Sequence, residues 1–186
     1  YFPESDDLRA IGRSWLLGRE DLPRWYYVWH RLAELDAEDS RLIGIGKAWL
    51  VHRELNPAWP DVFRRLADIA EFRGQLAQLG IAWLASQQDN VQWIKVWQTL
   101  GRLDIRYSTL MRAGKDWLRG RERNPEWPQV WRILYTEYFY DQWLDDKGRE
   151  WIRSNRNNGA WDLVWHTLLS ASPTDRELIN QGRGWL

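Results

Sequence analysis

The sequence predicts an all-α protein, a right-handed α-solenoid of about five and a half helix-turn-helix repeats. Three observations predict it. Tryptophan recurs at a constant interval of 34 residues, glycine and aliphatic residues recur in the same register, and every interval holds two stretches of helical apolar spacing.

The tryptophans fall into three series. Trp15, Trp49, Trp83, Trp117, Trp151 and Trp185 form the first; Trp25, Trp59, Trp93, Trp127 and Trp161 form the second. Trp29, Trp97, Trp131 and Trp165 form the third, with Phe63 in its gap, so that of 16 tryptophans only Trp143 stands outside. The same step places Gly12, Gly46, Gly80, Gly114, Gly148 and Gly182, and it places leucine at 8, 42, 76, 110, 144 and 178. Five units follow, at about 6–39, 40–73, 74–107, 108–141 and 142–175, with a half unit at 176–186. Residues 1–5 read as a lead-in, and no linker or second domain interrupts residues 6–186.

Each unit contains two helices. In the first unit Leu8, Ile11, Gly12, Trp15 and Leu16 have the i, i+3, i+4, i+7, i+8 spacing of one buried face, and Trp25, Val28, Trp29 and Leu32 repeat it on a second helix. Asp6, Ser40, Ser108 and Asp141 are the expected caps of the first helices. Asn56, Asn90, Asn124 and Asn158 are those of the second, because their short side chains accept a bond from an orphan N–H. Pro57 and Pro125 suit a first helical position, which needs no donor; Pro60 and Pro128 fall within the first turn. A glycine inside a helix costs about 1 kcal/mol relative to alanine, so its recurrence predicts close approach of a neighbouring backbone. The expected structural core is Gly12, Trp15, Gly46, Trp49, Gly80, Trp83, Gly114, Trp117, Gly148 and Trp151. The series from Trp25 to Trp161 lies near helix starts and is expected to be partly exposed, which makes it a minority candidate for ligand contact.

Composition narrows the function. Lys+Arg and Asp+Glu balance at 26 each, which removes a global pull toward nucleic acid or anionic membrane. There is no cysteine and there are three histidines, a composition that lacks the ligands of a zinc cluster, so no metal or cofactor is expected. The absence of cysteine is compatible with a reducing, cytoplasmic setting. No apolar run approaches the roughly 20 residues of a membrane helix. The start at Tyr1-Phe2-Pro3 and the end at Trp185-Leu186 read as cut ends of a longer protein. His30 and His166 share one repeat position four units apart, and Asp145-Asp146 and Glu20-Asp21 are adjacent carboxylates that point different ways on a helix. No acid/base or nucleophile constellation results, and the chain reads as a non-enzyme.

Partner contact is expected at variable positions beside the core. The residue after each recurring glycine is Arg13, Lys47, Ile81, Lys115, Arg149 and Arg183. With Arg119 and Arg153 one turn on, stacking aligns these cations into a basic stripe broken at Ile81, suited to an acidic peptide segment or a carboxylate. The alternative is solvated charge paired with nearby glutamates such as Glu20, Glu54 and Glu122. Charge reversal at Lys47, Lys115 and Arg149 is expected to weaken partner binding and leave the melting temperature alone. A second candidate is the aromatic cluster of Tyr135, Tyr138, Phe139, Tyr140 and Trp143, read either as packing against the next unit or as a protein-binding hot spot.

The period and the spacing Leu-x-x-apolar-Gly-x-x-aromatic, as in Leu8, Ile11, Gly12, Trp15 and in Leu76, Leu79, Gly80, Trp83, resemble the tetratricopeptide repeat (TPR). That resemblance implies a superhelix whose first helices line a concave surface, which is where it places the basic stripe. Two positions that hold small residues in TPR second helices here hold Arg24, Ala58, Gln92, Glu126, Ala160 and Arg31, Arg65, Thr99, Ile133, Thr167. The closing proline is replaced by Asp36, Ala70, Asp104, Tyr138 and Ser172. The subtype Gly-x-x-Trp-Leu followed by Asn-Pro-x-Trp-x-x-Val-Trp also resembles the C-terminal repeats of bacterial STAND-type NTPases. Those are signalling ATPases, several of them antiphage, whose repeats form a sensor arm. A protein-recognition module follows from these resemblances. A self-associating scaffold using Trp185 and Leu186, or an RNA-reading helical repeat, are the alternatives. No Walker-type phosphate loop occurs in the chain.

Overall fold

The computed structural model describes residues 6–69, 73–103, 107–137 and 141–184. Eleven helices and no strand occur among them. They alternate as first and second helices of successive repeats. The first helices are α1 (Asp6–Leu16), α3 (Ser40–His52), α5 (Arg73–Ser86), α7 (Tyr107–Leu118), α9 (Gln142–Ser154) and α11 (Arg176–Arg183). The second helices are α2 (Trp25–Leu35), α4 (Trp59–Ile69), α6 (Trp93–Gly101), α8 (Trp127–Glu137) and α10 (Trp161–Ala171). Tyr138, Phe139, Tyr140, Trp185 and Leu186 lie outside the described residues. Where the sequence suggests one continuous array, the chain forms two compact units, residues 1–107 and 108–186.

Three first helices, α3, α9 and α11, are capped by aspartate; Asp141 is the expected cap, and on α3 the cap lies one residue before the expected Ser40. Asp39 accepts from the Arg41 and Leu42 amides, Asp141 from Leu144, and Asp175 from Glu177 and Leu178. Ser40 is then the first helical residue of α3, and Ser108 the second of α7. Asp6 is likewise inside α1. A carboxylate outcompetes a hydroxyl here because its charge also faces the positive end of the helix dipole.

The asparagines act differently from helix caps. Asn56 Oδ1 accepts from the Ala58 amide at 2.9 Å while the Asn56 carbonyl accepts from the Trp59 amide at 2.9 Å. Asn90, Asn124 and Asn158 repeat this pair of bonds. They build a tight turn whose exit residue is the tryptophan that opens the second helix. Pro57 and Pro125 therefore sit in the turn, and Pro60 and Pro128 are the buried second residues of α4 and α8. Gly18 and Gly120 have φ of 71° and 73°, a left-handed conformation. They stop α1 and α7 at Leu16 and Leu118, two residues short of the register at which α3 and α9 end.

Within the first unit α2 packs on α4 and α4 on α6, with α1, α3 and α5 each against its own second helix. Within the second unit α8 packs on α10, and α9 and α11 flank them. Within each unit the second helices pack on one another, and clefts open beside the first helices. The indoles at the second-helix starts close the core. Trp25, Trp59, Trp93, Trp127 and Trp161 are buried, which overturns the expectation of partial exposure. Their rings point back under the preceding first helix, away from solvent. At the start of the array the predicted face is open. Leu8 and Ile11 are 63% and 64% exposed, and Trp15 is half-buried, because no described second helix lies ahead of α1 to cover them.

Candidate functional site

Three sets of indole hydrogen bonds tie the repeats together. Second-series tryptophans donate to the carbonyl nine residues earlier, in the last turn of the preceding first helix: Trp25 to Leu16, Trp59 to Leu50, Trp93 to Leu84, Trp127 to Leu118 and Trp161 to Ile152, at 2.8–3.1 Å. Each satisfies a carbonyl that the helix end would otherwise orphan. First-series Trp49, Trp83 and Trp151 donate to the Glu20, Glu54 and Glu122 carbonyls in the preceding repeat at 2.9–3.0 Å. Third-series Trp29, Trp131 and Trp165 donate forward to the Leu42, Leu144 and Leu178 carbonyls at 2.7–3.0 Å.

The rings also stack. Trp49 lies on Trp25 at 4.9 Å and Trp25 on Trp29 at 6.2 Å. Trp83, Trp59 and Phe63 repeat the ladder, as do Trp151, Trp127, Trp131 and Tyr135. The recurring glycines make room for this frame. A Cβ at Gly46 would lie 2.6 Å from Trp29 Cζ2, and Gly148 and Gly182 would meet Trp131 and Trp165 more closely still. At Gly80 the intruders would be Phe63 and Leu100. The close approach predicted for these glycines is real, but the approaching group is an indole face and not a helix backbone. Among the described residues, most recurring tryptophans and glycines are thereby engaged in packing.

The stripe cations are engaged inside the repeat lattice. Arg13 pairs with Asp39, Lys115 with Asp141, and Arg149 with Asp175 at 2.7 Å. In each pair the cation on one first helix holds the aspartate that caps the next first helix. Sequence reasoning looked for partners among glutamates on neighbouring turns; the signal it missed is the constant offset of 26 residues. Arg149 also bonds Asp145 at 2.6 Å, and Arg153 bonds Glu177 at 2.7 Å. Arg119 pairs with Asp116, Arg183 is exposed, and Lys47 lines a cleft. Burial pushes the Lys47 ammonium below its ordinary pKa.

The aromatic candidates divide. Tyr135 is buried, stacks on Trp131 at 4.7 Å and donates its hydroxyl to Asp145 at 2.9 Å, so it belongs to the core. Burial first, then that bond, pushes its pKa well up. Trp143 is half-buried and carries Lys115 and Arg119 over its ring at 5.4 and 5.5 Å. These cation–π contacts explain the one tryptophan outside the repeat register. Arg65, at one of the positions where small residues are expected, reaches the Ala33 carbonyl at the end of α2 at 2.8 Å.

The aspartate clamps carry a pH dependence. Burial acts to raise the Asp39 and Asp175 carboxyls. The guanidinium of Arg13 or Arg149, together with two backbone amides at each site, outweighs it and holds both below the usual range. Folded carboxyls with depressed pKa contribute stability that is complete above the unfolded value of about 3.9 and is lost as pH falls through the folded value. Asp175→Asn is therefore expected to lower the urea midpoint at pH 7, and the gap from wild type should close as the pH falls from about 4 toward 2. A gap independent of pH would reject the clamp. Charge reversal at Lys115 or Arg149 is now expected to destabilise, contrary to the simple stripe expectation, because it leaves a capping aspartate beside like charge.

Exposed and variable positions occur on both helices of each repeat, and the clefts lie along the first helices. Between α1 and α3 is a cleft of about 600 Å³, with Leu17, Gly44, Ile45 and Ala48 on its floor and Glu20, Arg41, His52 and Arg53 at its edge. A second, of about 410 Å³, lies between α3 and α5, lined by Lys47, Ala48, Val51, Gln75 and Leu79. Ala48 borders both. In the second unit Tyr135, Asp141, Asp145, Arg149 and Ser172 surround a polar cleft of about 330 Å³. Among the described residues no group of three His, Cys, Asp or Glu is placed to hold a metal ion, and no helix is long and apolar enough to cross a membrane. No family model matches the sequence, and comparisons with curated proteins and with solved structures return no match.

Proposed function

We propose that the chain is a non-catalytic protein-recognition module, a TPR-like α-solenoid that displays its first helices to a protein or peptide. One observation carries this reading. The invariant tryptophans and glycines are spent on internal stacking and carbonyl bonds, while the exposed first-helix positions differ sharply from repeat to repeat. A frame that holds its core constant, varies its surface and opens clefts along its first helices suits recognition better than chemistry. The resemblance to STAND-type sensor repeats supplies the context: the sensor arm of a cytoplasmic bacterial signalling NTPase, with antiphage defence as the setting. In this reading the basic stripe contributes through its more exposed members, Arg119, Arg153 and Arg183, and through Lys47 at a cleft.

Selection of a random peptide library on the whole chain tests the proposal. A consensus ligand should emerge whose binding is lost on substituting a first-helix residue, Ala48→Glu on α3 or Glu150→Lys on α9. It should survive Tyr27→Ser on the exposed side of second helix α2. No consensus, together with a mass that rises with concentration, would move the assignment to a self-associating scaffold. A ligand sensitive only to Tyr27→Ser would overturn the display of first helices.

A further inference from the structure

We propose that the trough formed by α1, α3 and α5 is a docking groove for an acidic amphipathic helix of a partner protein. The proposal rests on the recognition reading above and names the ligand class of one face.

The repeats provide an internal control. In the first unit the outward positions of α3 are Gly44, Ile45, Ala48 and Val51. One repeat on, in α5, they are Gln78, Leu79, Ala82 and Ala85. The same register in α7 reads Arg112, Ala113, Asp116 and Arg119, and in α9 Asp146, Lys147, Glu150 and Arg153. The indole frame is the same in both units, so folding does not demand an apolar surface at these positions. In the first unit they are nonetheless apolar, Gln78 apart, and accessible: Val51 is 55% exposed, and Leu17, its counterpart after α1, is 60% exposed. Contiguous apolar surface of this kind marks an interaction site.

Charge selects the partner's flanks. Neither α3 nor α5 contains an aspartate or glutamate, although the whole chain has 26. Their charged residues are Arg41, Lys47 and Arg73. Arg41 and Arg53 border the larger cleft against a single carboxylate, Glu20, so its rim carries net positive charge. The partly desolvated ammonium of Lys47 borders the smaller one. An acidic ligand meets complementary charge at Arg41 and along two helices that carry cations and no carboxylate, and a basic ligand meets repulsion.

Shape favours a helix. Gly44 and Ala48 lie one turn apart on α3, and a Cβ at Gly44 would meet nothing within 4 Å, so small side chains leave room for a ligand to approach this helix closely. A helix with apolar residues at i, i+3, i+4 and i+7 can set that ridge between the first helices, with its acidic flanks toward Arg41 and Lys47.

The test uses the whole chain and three labelled 15-residue helical peptides in fluorescence anisotropy. One carries leucine at i, i+3, i+4 and i+7 with glutamate flanks, one has lysine in place of glutamate, and one has glutamine in place of leucine. The glutamate peptide should bind, the other two at least about tenfold more weakly. Val51→Glu, on an exposed site that leaves the fold intact by circular dichroism, should weaken the first peptide by about tenfold or more, while Tyr27→Ser on α2 should not. Equal binding of the lysine peptide, no binding of the glutamate peptide, or indifference to Val51→Glu would overturn the groove. A library-selected ligand that depends on Glu150→Lys alone would leave the recognition reading standing and remove only this inference.

Discussion

Trp127→Ala is expected to lower stability by about 3–5 kcal/mol, the range for deleting a large buried aromatic, and to lower the melting temperature by roughly 6–20 °C for a chain of this size. Trp127 is the ring on which its ladder depends, stacked on Trp151 at 5.5 Å and on Trp131 at 6.2 Å. Its indole N–H also donates to Leu118 at the end of α7. The truncation removes buried area, two ring contacts of about 0.5–1.5 kcal/mol each, and the donor for a helix-terminal carbonyl. Trp127→Phe separates these terms. It keeps one ring in the stack but removes the donor together with part of the buried ring area, and stranding a buried acceptor alone costs about 1–3 kcal/mol. Urea denaturation followed by circular dichroism measures both. A Phe variant as stable as wild type would show that the indole bond carries no weight, and the frame would then be held by stacking alone.

Gly148→Ala should destabilise as well, against the direction that helix propensity favours. Alanine in place of a mid-helix glycine normally gains about 1 kcal/mol. Here the added Cβ would lie within 2.8 Å of Trp131 Cε2, and closer still to Cζ2. Trp131 cannot swing away, because it is buried, stacked on Trp127 and Tyr135, and bonded to the Leu144 carbonyl. Overpacking of this kind costs about 1–3 kcal/mol, sometimes more. Two comparisons make the test sharp. Gly44→Ala, on α3 but facing open space, should stabilise by about 0.5–1 kcal/mol. In a Trp131→Ala background, Gly148→Ala should change sign and become neutral or stabilising, a non-additivity that only residues in contact show. If Gly148→Ala behaved like Gly44→Ala, the glycine would have no packing role and the account of the repeat would fail.

Much of the helical architecture was legible because the repeat is its own alignment. One period lines up every tryptophan but Trp143, and positions that hold one residue type in each unit can be read as core without any relative. The buried rings of Trp49, Trp83, Trp117 and Trp151 follow from that reading. The candidate site was less legible. Periodicity says which residues recur, but not which atoms they meet. Arg13, Lys115 and Arg149 looked like a stripe because they share a register, and nothing local in the sequence shows that Asp39, Asp141 and Asp175 lie opposite. The apolar groove was missed for the complementary reason. Ile45, Ala48 and Val51 resemble ordinary core residues until the packing of α4 leaves them outside.

The sequence by itself determined the helices and much of the core, though not the burial of the Trp25 to Trp161 series, because apolar spacing within a helix and the repeat interval between helices are both written along one dimension. Tertiary structure alone decided what the conserved atoms touch: indole donors on helix-end carbonyls, ring faces on glycines, and cations on the caps of the next helix. Those contacts join residues 9 to 29 positions apart across a turn or a neighbouring repeat. Such pairings depend on how helices approach in space, which no linear spacing specifies.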